Sequence, residues 1–223
     1  MEAAFWHQRW EENRIGFHQS DFNGWLKTWW ADRPMDEPVL VPLCGKSRDM
    51  VWLCEQGYPV HGFELSPLAV EQFFGEQGWT PERTEVGPYQ RLGHGDLHIY
   101  QGDFFAAWQL DQCYRLVYDR ASLIALPAPL RLRYAQQLAR MVLGGGEILL
   151  VTVEYQPDPQ HEPPFSVSEL EVRRLFEPHF SVSVLGRQSE VTHPRVVSGQ
   201  LSYFDEVCYR LVRRAHKTLP PLM

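Results

Sequence analysis

Residues 39–64, VLVPLCGKSRDMVWLCEQGYPVHGFE, constrain the fold more than any other stretch of this chain. The aliphatic run Val39 to Val41 ends at a Pro42-Leu43-Cys44-Gly45 turn, and a second apolar run ends in the carboxylate Glu64, twenty-one residues after Leu43. Strand, turn, helix and a second strand ending in an acid form the first βαβ unit of a nucleotide-type cofactor site. In such a unit the turn lies against the ligand and the acid accepts hydrogen bonds from ribose hydroxyls.

The turn carries one glycine. A pyrophosphate needs several closely approaching backbone amides, hence G-x-G-x-x-G in dinucleotide sites, whereas here Pro42, Leu43, Cys44 and Lys46 surround Gly45. Gly45-Lys46-Ser47 imitates the end of a phosphate-binding loop, but that loop requires a glycine where Leu40 stands in mid-strand. A cofactor with an adenosine and no phosphates satisfies both observations, and S-adenosylmethionine is the common one.

The remaining chain fits one enzyme domain, residues 1–223. With 223 residues and 44% hydrophobic content it can bury a substantial core. A net charge of -7 gives no long-range attraction for nucleic acid or an anionic membrane, so a small-molecule substrate is expected. No apolar stretch is long enough to span a bilayer and MEAAFWHQRWEEN lacks a signal peptide's hydrophobic region, so a cytoplasmic location is expected. Nothing calls for an obligate partner, and a monomer is expected. The four cysteines form no C-x-x-C pair and the nine histidines no H-x-x-x-H cluster, which argues against a zinc site. Cys44, at the turn, is expected to be partly accessible; the other three stand in apolar surroundings.

Strand and helix alternate with short connections, as in an α/β protein with a parallel sheet covered on both faces. Trp6 and Trp10, and Trp25 and Trp29, stand one helical turn apart, which predicts two short helices within an aromatic-rich lid, residues 1–38. Further strands are expected at 97–101, ending in GDFF, at 116–118, ending in Asp119-Arg120, and at 147–155 after a helix over 129–143 stopped by Gly144-Gly145-Gly146. Ser66-Pro67 reads as a helix start, and Ser166 with Glu169 as a capping box. Strands over 180–185 and 203–212 complete a Rossmann-like, mixed seven-stranded sheet. The basic positions Arg210, Arg213, Arg214 and Lys217 read as a solvated strand end.

The strings FWHQRWEENRIGFHQ, VPLCGKSRDMVWL, GFELS, YDRASLIALP and PPFSV, in this order and spacing, resemble the thiopurine S-methyltransferase family, particularly its bacterial branch. The resemblance covers essentially the whole chain. It implies a class I methyltransferase fold, S-adenosylmethionine as donor, and methyl transfer to the sulfur of aromatic and heterocyclic thiols. Some bacterial members are associated with selenium and tellurium compounds, a point the resemblance leaves open.

Carried over position by position, the family's cofactor contacts fall on Trp6, Trp10, Leu43, Glu64, Asp103, Phe104 and Arg120, and its substrate-contacting phenylalanine on Phe17. A second, substrate-side arginine is expected before the last strand, where Arg195 in THPRVVSG is the nearest match. Ser122 departs from the smaller apolar residue more usual in the family. The chemistry implied is an in-line displacement at a sulfonium methyl, with no metal and no nucleophilic side chain. Arg120 is the residue expected to favour the acceptor's thiolate or to hold its ring. Asp119 is expected to be structural, because a heteroaromatic thiol ionises unaided. Two alternatives stand beside this reading: a nicotinamide-dependent oxidoreductase, disfavoured by the single glycine, and a protein that binds S-adenosylmethionine without methylating thiols.

Overall fold

The computed structural model describes residues 3–16, 18–19, 21–31, 33–156 and 163–215. They fall into two compact units, Met1–Tyr118 and Asp119–Met223. No helix among the described residues is long and apolar enough to cross a membrane.

In the first unit, helices α1 (Ala3–Glu11) and α2 (Gly24–Trp29) precede β1 (Val39–Val41), α3 (Asp49–Glu55), β2 (Val60–Glu64) and α4 (Pro67–Glu76). There follow β3 (Glu82–Val86), β4 (Tyr89–His94), β5 (Leu97–Gln101) and β6 (Tyr114–Arg120), whose last two residues open the second unit. The strand order is β3-β4-β5-β2-β1-β6, with β5, β2, β1 and β6 parallel. β1 is three residues long and wholly buried, as a central strand covered on both faces must be. Its register sets Val41 opposite Gly62, and the register of β2 sets Glu64 opposite Gln101, so the turn after β1 and the end of β2 lie at one end of the sheet.

Both expected N-terminal helices form. Asn23 caps α2 by accepting the Trp25 amide at 3.0 Å, and its own N–H donates to buried Asp49 Oδ1 at 2.8 Å. Trp30 is 1% exposed, edge-on to Tyr58 and Tyr118. Ser66 accepts from the Ala69 amide and Pro67 opens α4, as expected.

The second unit holds α5 (Ala128–Met141), β7 (Val142–Gln156), α6 (Glu169–Phe176), β8 (Phe180–Ser189), α7 (Pro194–Val197) and β9 (Tyr203–Arg213). β9 lies between β7 and β8, antiparallel to both, which is the closing antiparallel arrangement expected.

Three details differ from the sequence reading. The described residues contain nine strands rather than seven, because 82–94 forms the antiparallel hairpin β3-β4, which adds to β5. Two-residue turns close both connections, with Gly87 and Gly95 at positive φ in the first turn position. The glycines read as a helix stop are instead the start of β7: Val142 still donates to Leu138 O, yet its φ of -94° and ψ of 122° are extended. The capping box is also misplaced, since Ser168 caps α6 by accepting from the Glu171 amide. Ser166 Oγ instead bonds both the N–H and the C=O of Tyr155.

Candidate active site

Glu64 is the centre of the first unit's site. It ends β2, is 6% exposed, and each carboxylate oxygen accepts one backbone N–H: Oε2 from Gly45 at 2.8 Å and Oε1 from Ser66 at 2.7 Å. Burial raises the Glu64 pKa above its ordinary value, while the amides of Ser66, Gly45 and Leu65 act in the opposite direction. An ionised carboxylate offers about four acceptor positions, so these amides leave it acceptor capacity for a hydroxyl donor.

The turn after β1 is shaped by two left-handed residues, Leu43 at φ 45° and Gly45 at φ 52°. A non-glycine residue at such a φ is strained, and Leu43 is the kind of outlier found at ligand-contacting turns. Cys44 N donates to Phe63 O at 2.9 Å, which fastens the turn to β2. Cys44 itself is buried rather than partly accessible as expected. Its thiol points at the sheet, and a Cβ on Gly62 would sit 2.8 Å from Cys44 Sγ. Burial, with the nearby Glu64 charge, raises its pKa well above the ordinary thiol value. Lys46 is held against α4 by its ion pair with Glu76, which gives the Gly-Lys-Ser string a structural role.

The end of β5 joins the end of β2 through Gly102, whose N–H donates to Glu64 O at 2.8 Å. A Cβ on Gly102 would lie 2.7 Å from the Tyr89 ring, so no larger residue fits. Asp103 is exposed and starts a 3-10 helix, Phe104–Leu110, by accepting the Phe105 amide at 2.9 Å. Its carbonyl accepts the Tyr89 hydroxyl at 2.6 Å. Phe104 is 1% exposed with its ring edge-on to Phe63. Trp10 is buried and Trp6 half-buried on α1, which packs against α4, the helix that begins three residues after Glu64.

The structure thus gathers Leu43, Glu64, Asp103 and Phe104 at the ends of β1, β2 and β5. Phe17 lies outside the described residues. Tyr89 and Asp49 escaped the sequence reading. The one signal near Tyr89 was the turn Gly87-Pro88; Asp49 carried none, since an acid in a helix's first turn is ordinary.

Arg120 and Arg195 belong to the second unit. Arg120 is half-buried at the end of β6 and precedes Ala121, which has φ 64°. Asp119 is fully buried and accepts the Tyr134 hydroxyl from α5 at 2.7 Å, in keeping with a structural role. The turn after Arg120 is tied to the PPFSV segment by Phe165 N–H donating to Ile124 O at 2.8 Å. Arg131 reinforces it, donating to Leu126 O and to both oxygens of Glu171. Arg195 lies on α7 with its guanidinium carbon 5.2 Å from the centroid of the Tyr155 ring. In the basic strand end, Arg210 pairs with Glu147. Arg213 is buried, not solvated as expected, and donates to the carbonyls of Ala139 and His179; Lys217 lies outside the described residues.

The donor set of the first unit fits an adenosyl group: a buried strand-end acid with acceptor capacity to spare, beside a turn whose backbone does not fan its amides around a phosphate. Comparison with known proteins agrees. Among solved structures, a SAM-dependent methyltransferase from Anabaena variabilis is similar, with TM-score 0.63 and 15% identity over 95% of each chain. So is a 1,6-didemethyltoxoflavin-N1-methyltransferase from Burkholderia thailandensis, with TM-score 0.62 and 15% identity over 95% of this chain and 87% of that one. At such identities the likeness shows the fold alone, a Rossmann-like α/β methyltransferase fold. In sequence, a thiopurine S-methyltransferase from Photobacterium profundum is 44% identical over 209 residues, 92% of this chain and 96% of the relative. One from Shewanella baltica is 40% identical over 218 residues, 96% of this chain and all of the relative. The Thiopurine S-methyltransferase family matches residues 1–214, and the chain belongs to that family.

Proposed function

We propose that this chain transfers a methyl group from S-adenosylmethionine to the sulfur of aromatic or heterocyclic thiols such as thiopurines. The observation that carries the reading is Glu64, buried at the end of β2 and held by the Gly45 and Ser66 amides so that its remaining acceptor positions suit a ribose diol. S-adenosylmethionine supplies, when bound, a methyl group already activated on a sulfonium. The protein's part is then binding, alignment and exclusion of water.

Glu64 holds the ribose, Leu43 lines the turn, and Asp103 accepts from the adenine amino group beside the wall that Phe104 supports. Trp6, Trp10 and Phe17 belong to a lid, residues 1–38 of a single catalytic domain, which shields the reacting centre and leaves a flat apolar slot. Arg120 and Arg195 are the acceptor-side cations: a guanidinium stabilises a thiolate over a thiol and stacks on a heteroaromatic ring. Buried Asp119 takes no part as a base. The match over residues 1–214 supports reading both compact units as one such domain. The enzyme is proposed to work as a cytoplasmic monomer.

The test is incubation of the purified protein with methyl-labelled S-adenosylmethionine and 6-mercaptopurine. Label in the methylthio product is the expected result. Binding of the donor with no transfer to a panel of thiols would instead favour a protein that only binds S-adenosylmethionine. Selenium and tellurium compounds run in the same assay define the breadth of the acceptor site.

A further inference from the structure

We propose that His193 is a positioning residue for Arg195, and that it does so only as the neutral imidazole, so that protonating it releases the arginine and weakens acceptor binding. The proposal rests on the reading of Arg195 as an acceptor-side cation.

His193 is the N-cap of α7, and its ring nitrogen Nδ1 accepts the backbone N–H of Arg195 at 3.3 Å. That contact fixes the tautomer: Nδ1 carries the lone pair, so the proton of the neutral ring resides on Nε2. The ring also lies flat on Phe204, centroids 4.1 Å apart and planes within 5°. Phe204 in turn stacks on Tyr155 at 5.5 Å, its partner across the β7-β9 ladder, and the Arg195 guanidinium sits over Tyr155. Imidazole, phenyl, phenol and guanidinium are thus linked by successive contacts that run from the N-cap of α7 to Arg195 on α7 itself. The Arg195 carbonyl is tied as well, accepting from Leu201 N–H at 2.9 Å. Position and orientation of Arg195 therefore depend on the cap.

A proton on Nδ1 turns the acceptor into a donor facing a donor and adds a positive charge within electrostatic reach of Arg195. The charged groups facing His193 are Arg195 and Glu190; the Phe204 ring packed on it from β9 carries no charge, and the hydroxyl of Tyr155, the next ring along on β7, is committed to Pro164 O. Burial and the Arg195 charge hold the imidazole pKa below its ordinary value, with Glu190 acting against them. The neutral, capping form is therefore the resting one, and its loss is an acid-side event.

The experiment compares the wild type with His193→Asn and His193→Ala. Asparagine places Oδ1 where Nδ1 stands and caps without titrating; alanine does neither. Kinetics with 6-mercaptopurine as acceptor are followed from pH 5 to 8. Expected is a KM for the acceptor raised several-fold by H193A at neutral pH and largely restored by H193N. On the acid side the wild-type KM climbs by about tenfold relative to H193N, while KM for S-adenosylmethionine moves alike in all three. Ionisation of the acceptor itself is common to the three proteins and cancels in the comparison. A KM for H193A equal to wild type, or an identical acid climb in H193N, would overturn the proposal. Hydrogen exchange at the Arg195 amide supplies a readout independent of turnover: acid should deprotect it in the wild type and not in H193N. If no thiol is methylated but this amide behaves so, the functional reading fails while the capping switch stands.

Discussion

The Gly45 amide donates to Glu64 Oε2 at 2.8 Å, so the turn leaving β1 and the acid ending β2 are one hydrogen-bonded unit, although nineteen residues separate them in the chain. Ser66 does the same from the other side, at 2.7 Å to Oε1. The carboxylate is thereby oriented before any ligand arrives, which lowers the ordering cost of binding.

Replacing Glu64 by glutamine should therefore do more harm than the small change of shape suggests. The amide nitrogen would face one of the backbone N–H donors, and one of the acceptor positions proposed for the ribose would be lost. Hydrogen bonds to a charged group are worth about 1.5–3 kcal/mol, so affinity for S-adenosylhomocysteine should fall by roughly 10- to 100-fold in E64Q and at least as far in E64A, as read by calorimetry. Because the pKa of Glu64 is raised, wild-type affinity should also decline as the pH falls through a value above the ordinary carboxylate range, and E64Q should lack that decline. Unchanged affinity in E64Q would remove Glu64 from the site.

Gly62 offers a test of how tightly the turn is seated on the sheet. A methyl group there would meet Cys44 Sγ at 2.8 Å and Met50 Sδ at 3.0 Å. The methionine is long and flexible, whereas the cysteine is short and buried. G62A should cost about 1–3 kcal/mol in urea unfolding, and the double variant G62A/C44A should recover a good part of it. The same geometry predicts that Cys44 resists an aromatic disulfide reagent in the native protein, whereas exposed Cys113 reacts. Rapid labelling of Cys44 would contradict the buried, high-pKa thiol.

Legibility followed chemistry more closely than it followed boundaries. Residues 39–64 were readable because one buried strand, one turn and one terminal acid follow one another in a short stretch of chain, and the structure joins them through Gly45 and Glu64. The β3-β4 hairpin was not, since Glu82 to Val86 is largely exposed and polar and carries no hydrophobic alternation to announce it. Asp49 was invisible for a different reason: its partners Asn23 and Tyr118 lie 26 and 69 residues away, and no local pattern encodes such pairings. Arg195 was named by resemblance alone, and the stacked rings that its guanidinium meets exist only once β7 and β9 are in register.

Asp49 couples the N-terminal segment to the sheet, and this coupling is testable. Its Oδ1 accepts from the Asn23 backbone and its Oδ2 from the Tyr118 hydroxyl, both at 2.8 Å, with the side chain 2% exposed. Y118F removes one donor from a buried carboxylate and should cost about 1.5–3 kcal/mol. D49A should do more, because the Asn23 amide loses its acceptor and α2 its anchored cap. Limited proteolysis should then cut near residues 21–33 much faster than in the wild type. Equal cleavage rates would show that the segment is held chiefly by the burial of Trp30.

Asp119 makes the last prediction, one of stability against pH. Burial pushes its pKa up to about 6, with the hydroxyls of Tyr134 and Ser122 and nearby amides opposing the rise. An acid with a raised folded pKa binds its proton more tightly in the native state than in the unfolded chain. Between the ordinary aspartate value of 3.8 and about 6 the folded protein therefore holds more protons, and this group's contribution to stability falls as pH rises through that window. A change on the order of 2 kcal/mol is expected across it. D119N abolishes the titration, so the difference in unfolding free energy between wild type and D119N should shift in favour of the variant from pH 4 to 6 and then level off. Y134F removes the principal hydroxyl donor to the carboxylate and should move the window to higher pH. Urea unfolding at half-unit steps of pH measures all three; parallel curves for wild type and D119N would show that this carboxyl does not titrate in the window.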